Sequence, residues 1–335
     1  MSFDRKNLFI GPNGSGKSNL LEALGFLGIL RSFRTSRINE LIRLGCDGFH
    51  LRGVWQQPSG SAVQLEVALN RSGQRQLQIN GTLESSGRDF IQHFYPVVFA
   101  PEDMDLVCGI PTLRRRFFDM LASQLDDGYI NVLHDYMHAL KLRNLALRSG
   151  KCNLEKLKIY EGLLAFAGAD LTARRQRCVE KFNHVLSGLA DDPQAKLNFD
   201  YRMQCSSGPE AYLELFDRNR NREMEKRVTL CGCHLDDFNL LRGNQLMRGF
   251  ASNGQNRLAA LHCKLAAALL VMHNRGAEKL VALVDDVTGE LDEYNRMRFY
   301  RLLEPAGQLF FTFTEQPAED FFAGAKIFDF PLSAP

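Results

Sequence analysis

Two segments at opposite ends of the chain carry residue types suited to phosphate chemistry. Gly11-Pro12-Asn13-Gly14-Ser15-Gly16-Lys17-Ser18 matches the pattern G-x-x-x-x-G-K-[ST] at every position. Glycines let a backbone turn tightly enough for several N–H groups to converge on one phosphate, and a following helix adds the positive end of its dipole. In such a turn Lys17 reaches the β- and γ-phosphates and the Ser18 hydroxyl ligates Mg²⁺. The second segment, Leu280-Val281-Ala282-Leu283-Val284-Asp285-Asp286, is an apolar strand pattern ending in two carboxylates. Alone, such a run reads as a solvated strand end. Beside an intact phosphate turn it becomes the other half of a nucleotide site, because carboxylates at the C-terminal end of a central strand lie next to the turn in sheets of this kind. Asp285 is then expected to hold Mg²⁺ through water, and Asp286 to orient and deprotonate the attacking water.

The surrounding elements suit this role. Asn7-Leu8-Phe9-Ile10 reads as a short apolar strand entering the glycine-rich turn, and Leu20, Leu21, Leu24 and Leu27 mark a helix leaving it. Val63, Leu65, Val67 and Leu69 alternate with polar residues, and Asn80-Gly81 is a strong hairpin signal, so residues 49–81 read as an antiparallel β region. Residues 112–190 read as helix, with Ile130, Leu133, Met137 and Leu140 recurring in one run and Leu157, Leu164, Leu171, Cys178 and Phe182 in another. These runs are core helices of a globular domain or, on a sharper reading, a helical arm. Pro193 precedes a strand-like stretch, Leu197 to Met203. Towards the end, helix (Leu258 to Val271), strand (Leu280 to Val284), helix (Tyr294 to Leu303) and strand (Gln308 to Phe313) alternate, which indicates a parallel sheet.

Composition sets outer limits. The 335 residues include 41 Lys+Arg against 39 Asp+Glu, a net charge of +2, with 45% hydrophobic residues, which excludes disordered, collagen-like and low-complexity classes. Near neutrality also removes the simplest argument for a nucleic-acid partner, so any DNA contact requires basic residues segregated on one face. Eight cysteines are scattered, with a Cys231-x-Cys233 pair and no C-x-x-C, which points to a reducing compartment and no disulfide framework. No apolar run is long enough to span a bilayer and the first residues hold no signal-peptide core, so a cytoplasmic location is expected.

Further motifs carry a resemblance. Ser252-Asn253-Gly254-Gln255 is similar to the signature loop of ABC- and SMC-type ATPases, and Thr288-Gly289-Glu290-Leu291-Asp292 to their D-loop. Within that superfamily the chain resembles the RecF family. The likeness rests on Arg31-Ser32-Phe33-Arg34-Thr35-Ser36, Phe99-Ala100-Pro101-Glu102-Asp103, Gly109-Ile110-Pro111-Thr112-Leu113-Arg114-Arg115-Arg116-Phe117 and Gly232-Cys233-His234-Leu235-Asp236-Asp237. It departs from the family's pattern at Asn253, Asn256, Leu235 and Gly289, and only ten residues precede Gly11, a shorter lead than the family has.

The resemblance implies an α/β fold: a P-loop ABC/SMC-type ATPase head, its mixed sheet carrying an antiparallel subregion, with a short helical arm. On this reading residues 1–111 and 195–335 form the head and 112–194 the arm. It further implies a homodimer sandwiching ATP and Mg²⁺, the phosphate turn of one copy facing Ser252, Gly254 and Gln255 of the other. Slow, DNA-stimulated hydrolysis, binding of single-stranded, gapped or junction DNA, a role beside RecO and RecR in loading RecA, and one in the SOS response complete the expectation, with no membrane partner. Candidate DNA contacts are Arg114, Arg115 and Arg116, then Lys141, Arg143 and Arg148, with further arginines at 174–177 and 218–222. Each patch also reads as a solvated helix face, and Arg114 to Arg116 as a brace bonded to carboxylates. Two alternatives stand beside this reading: a RecF-derived binding module that does not turn over ATP, and another ABC-type repair or defence ATPase.

Overall fold

The computed structural model describes all residues except 36, 58–59, 150–152, 193–194, 206–207, 290 and 332–335, so Ser36, Pro193 and Glu290 of the motifs above lie outside the described residues. The chain divides into two compact units: Met1–Asp103 with Leu261–Pro335, and Met104–Ala260.

The first unit opens with β1 (Lys6–Ile10) and α1 (Lys17–Ile29), the expected strand and helix flanking the phosphate turn. Next come β2 (Gly48–Gln56), β3 (Ala62–Asn70), β4 (Arg75–Ile79) and β5 (Thr82–Glu84), an antiparallel sheet in that order. Val63, Leu65, Val67 and Leu69 are all buried, as their alternation requires. Asn80 and Gly81 both take positive φ (51° and 81°) in the two-residue turn joining Ile79 to its partner Thr82. A short α2 (Gly87–Phe90) precedes β6 (Tyr95–Phe99), a fully buried strand.

The second unit holds α3 (Asp105–Cys108), α4 (Pro111–Leu125), α5 (Tyr129–Arg148), α6 (Leu154–Gly188), β7 (Leu197–Arg202), α7 (Gly208–Lys226), β8 (Asp237–Arg242) and β9 (Gln245–Leu246). Strands β7, β8 and β9 form a small antiparallel sheet. The unit is therefore wider than the helical segment 112–194. Its strands pack on the helices: Phe118 of α4 stacks on Phe238 of β8 at 4.4 Å and meets Phe199 of β7 at 4.9 Å, with Phe182 of α6 at 5.5 Å. The face that α5 buries keeps Leu140 of the expected run but differs elsewhere. Tyr136, Ala139, Arg143 and Leu147 are buried, while Met137 is exposed.

Helix α8 (Asn253–Arg275) starts in the second unit and leads back to the first, which finishes with β10 (Leu280–Asp285), α9 (Glu293–Leu303), β11 (Gln308–Phe313) and β12 (Lys326–Asp329). These last strands join β1 and β6 in a five-stranded sheet of order β12-β1-β11-β10-β6, with every pairing parallel. The antiparallel strands form sheets of their own rather than extending this one. Residues from β1, α1, β3, β6, β10 and β11 share one core that includes Phe9, Leu21, Phe26, Leu65, Val98, Leu283 and Phe310. β6 and β10 are buried throughout, as parallel strands covered on both faces are.

Two polar networks are buried in the second unit. In one, Arg114 grips Asp237 with two hydrogen bonds (Nε–Oδ1 2.8 Å, Nη2–Oδ2 3.0 Å) and donates a third to the Gly109 carbonyl. Arg115 donates to the Asp236 carbonyl at 2.6 Å, while Arg175 grips Asp119 and donates to the Cys233 carbonyl. The Asp236 carboxylate, which burial pushes above its usual range, accepts from Tyr201 Oη and the Gln204 amide. In the other, Arg143 joins Glu161 and Glu223 (2.9 and 2.6 Å) and donates to Thr229 Oγ1, and Arg220 adds a second cation at Glu161.

His234 lies beside the first network, its Nδ1 2.8 Å from Tyr136 Oη. Burial, with the Arg115 and Arg175 guanidiniums close by, pulls its imidazole down to about 4. The unfolded chain therefore binds a proton here at higher pH than the folded one does. Stability supplied by neutral His234 is complete above the unfolded pKa near 6.5 and is lost as pH falls towards 4. The stability difference between wild type and His234→Gln should thus shrink by about 2 kcal/mol between about pH 7 and about pH 4.5 in urea denaturation. A pH-independent difference would contradict the depressed pKa.

Candidate nucleotide site

The phosphate turn leaves the C-terminal end of β1, where Gly11 N–H donates to the Phe313 carbonyl on neighbouring β11. A Cβ at Gly11 would lie 2.3 Å from the Phe330 carbonyl oxygen, so only glycine lets the turn pass here. Gly14 and Gly16 hold φ of 79° and 101°, conformations that side chains disfavour. Gly16 caps α1, whose first turn carries no acidic residue, so the positive end of its dipole is left unneutralised. Lys17 is buried, and its Nζ donates to the carbonyls of Gly11 and Pro12 (2.6 and 2.9 Å), which lays the ammonium across the turn.

Ser18 is at the start of α1, and its Oγ donates to Asp285 Oδ1 at 2.9 Å. The same carboxylate oxygen accepts from Thr312 Oγ1 of β11 at 2.8 Å. Sheet order explains the meeting: β11 lies between β1 and β10, so its Thr312 bridges the turn and the end of β10. The structure thus brings Ser18 and Asp285 together as expected and adds Thr312. Its sequence signal was slight, a hydroxyl inside the otherwise apolar run Leu309-Phe310-Phe311-Thr312-Phe313. Asp286 follows at φ 50°, an uncommon conformation for a residue with a side chain, and is exposed.

These groups fit a nucleotide and a hard cation. Ser15 Oγ is buried in the turn without a hydrogen-bond partner in the protein, which suits a phosphate oxygen. Among the described residues no group of three or more His, Cys, Asp or Glu could hold a metal. A carboxylate 2.9 Å from a serine hydroxyl suits a hard cation such as Mg²⁺, which would keep waters and share its sphere with substrate phosphates.

In the second unit, Ser252, Gly254 and Gln255 are exposed at the N-terminus of α8. Ser252 and Gln255 cap the helix reciprocally: Gln255 N–H donates to Ser252 Oγ (3.3 Å) and Ser252 N–H to Gln255 Oε1 (3.0 Å). No acidic residue lies in the first turn, and a Cβ at Gly254 would meet nothing within 4 Å. Asp292 caps α9 by accepting from the Asn295 amide.

The candidate DNA contacts separate into two kinds. Arg143 is fully buried and Arg114 is 3% exposed, both paired with carboxylates, so neither can meet a phosphate backbone in this fold. Arg115 is half-buried on the Asp236 carbonyl, and Arg116 is half-buried. Of the more distant arginines, Arg174, Arg175, Arg218 and Arg220 are all paired with acids. Lys141 and Arg148 are exposed on α5.

Comparison with known proteins agrees with this geometry. The family described as RecF/RecN/SMC N terminal domain matches residues 2–320. The DNA replication and repair protein RecF of Clavibacter sepedonicus is 36% identical over 326 residues, covering 87% of this chain and 79% of that protein. Its counterpart in Streptococcus thermophilus (strain ATCC BAA-250 / LMG 18311) is 32% identical over 318 residues, covering 92% and 86%. A solved structure of the recombination mediator protein RecF with ATP, in the RecFOR pathway, has a TM-score of 0.88 at 29% identity, covering 96% of this chain and 89% of that one. An SMC head domain from Pyrococcus yayanosii, 12% identical with a TM-score of 0.51, shares the fold. With the phosphate turn, the paired aspartates and the capped serine loop all in this setting, the chain belongs to the RecF family.

Proposed function

We propose that this chain is an ATP-dependent DNA-binding protein of recombinational repair and replication-fork maintenance. The observation that carries the reading is the convergence of Ser18, Asp285 and Thr312 beside a phosphate turn with an orphaned Ser15 hydroxyl. In this reading residues 11–18 hold the triphosphate of ATP. Lys17 leaves the two carbonyls for the β- and γ-phosphates, and Ser18 and Asp285 hold Mg²⁺, which supplies charge neutralisation at the phosphates. Asp286 orients the attacking water and accepts its proton, giving slow turnover.

The exposed, acid-free start of α8 supports a second part of the proposal. In the family's arrangement this helix start meets the γ-phosphate held by a second copy, so that ATP joins a homodimer. Single-stranded or gapped and junction DNA is the proposed substrate, with Lys141 and Arg148, two turns apart on one face of α5, as backbone contacts. RecO and RecR are the proposed partners in loading RecA. A cytoplasmic location goes with this reading and is supported by the free state of all seven described cysteines.

Light scattering tests the core of the proposal. With ATP and Mg²⁺ the wild-type mass should double, and Lys17→Ala should remain monomeric; a wild type whose mass does not respond to ATP would refute the reading. Asp286→Asn should still bind ATP and dimerise, yet release phosphate more slowly by about two orders of magnitude or more, with or without gapped DNA. Unchanged phosphate release would remove Asp286 from the catalytic role.

A further inference from the structure

The segments 109–117 and 232–237 stand out in the sequence, and neither the nucleotide site nor the exposed cations account for them. In the second unit they meet. Arg114 holds Asp237 bidentately and Arg115 holds the Asp236 carbonyl, both from α4, while Tyr201 and the Gln204 amide hold the Asp236 carboxylate. Asp237 is the first residue of β8, so the start of that strand is fixed from several sides.

What β8 carries explains why this matters. Leu240 accepts the Met247 amide (2.9 Å), and Met247 in turn accepts the amides of Phe250 (3.2 Å) and Ala251 (3.1 Å). Leu240 and Met247 are both 3% exposed, so these bonds are sheltered from water. Ala251 is followed by Ser252, the cap of α8. An unbroken path of backbone and hydrogen bonds therefore runs from the Arg114–Asp237 pair, along β8, through Met247, to the exposed serine loop. The loop itself has little else: its capping bonds are internal, and Ser252, Asn253, Gly254 and Gln255 are all exposed.

We propose that Arg114 and Asp237 are positioning residues for the Ser252–Gln255 loop, setting through β8 where its N–H groups point. The functional consequence rests on the reading above, in which that loop meets the γ-phosphate bound by a second copy. An anion clamped between two copies tolerates little misplacement, since the hydrogen bonds that hold it weaken steeply away from their preferred angle. A charge-paired guanidinium fork is suited to fixing such a register because it constrains orientation as well as distance.

The second network supplies the control. Arg143 is as buried as Arg114 and is paired with two carboxylates, but no member of its network belongs to β8, β9 or the turn 247–252. The full chain would be prepared as Arg114→Met, Asp237→Asn and Arg143→Met, each with its melting temperature recorded. Hydrogen exchange of the Met247 and Ala251 amides, without nucleotide, reads loop positioning directly. Sedimentation with ATPγS and Mg²⁺ reads dimerisation, and a fluorescent ATP analogue at dilute protein reads occupancy of the phosphate turn in the other unit.

Arg114→Met and Asp237→Asn should speed exchange at Met247 and Ala251 by about tenfold or more. They should weaken dimerisation by about tenfold or more while leaving nucleotide affinity near wild type. Arg143→Met should lower the melting temperature yet leave both loop exchange and dimerisation unchanged. Unaltered exchange in the Arg114 and Asp237 variants, or equal acceleration in Arg143→Met, would overturn the proposal. Should Arg114→Met fail to fold, Asp237→Asn carries the same readouts. A wild type that does not dimerise with ATPγS would instead overturn the functional reading, and the exchange data would still decide the positioning role.

Discussion

One carboxylate oxygen, Asp285 Oδ1, receives hydroxyl hydrogen bonds from Ser18 and Thr312, and much of the first unit is arranged to make that possible. Asp285 is 8% exposed, and a buried carboxylate is costly without donors aimed at it. Both donors come from other elements, one from the helix after β1 and one from β11. Their positions follow from the order β1-β11-β10 in a parallel sheet, where strand ends of the same sense line up. The beginning and the end of the chain thus become interdependent. Neither the glycine turn nor the Asp285-Asp286 strand end makes a site alone, and the register of β11 between them decides whether the oxygens meet.

The same sheet explains how a second unit is accommodated. β6 and β10 are adjacent and parallel, yet residues 104–260 intervene between them. A parallel pair always needs a crossover, so the insertion enlarges a connection the topology already requires. Long connections cost little additional closure entropy if the inserted chain folds on its own account. It does so partly by an aromatic core around Phe118 and partly by burying arginines against acids. Buried ion pairs of this kind contribute little net stability compared with apolar packing, but they penalise every arrangement that leaves one partner alone. That selectivity suits a unit that has to hold its helices and a small sheet in one register.

The legibility of the sequence follows from whether a residue's task is local or long-range. The phosphate turn was readable because glycine, lysine and serine act within a few residues of one another, and the surrounding strand and helix are local patterns too. The paired aspartates were readable through the apolar strand before them, whereas Thr312 was overlooked because its partner lies 27 residues away across the sheet. The arginines fail in the opposite direction. A run such as Arg114-Arg115-Arg116, or Arg143 in a helix, looks like surface charge because composition counts cations without their partners. Those partners, Asp237 for Arg114 and Glu161 with Glu223 for Arg143, are 123, 18 and 80 residues away, and only the packing of α4 through α7 on the small sheet brings them in. Part of the face of α5 escapes for the same reason: Met137 reads as core and Arg143 as surface, because hydrophobic periodicity assumes that buried means apolar. A guanidinium paired with buried acids breaks that assumption, and near-neutral composition hides it, since a buried arginine takes acids from the surface along with itself. The net charge of +2 therefore leaves open how many cations remain outside, and only the pairing pattern separates exposed Lys141 and Arg148 from the arginines committed to the interior.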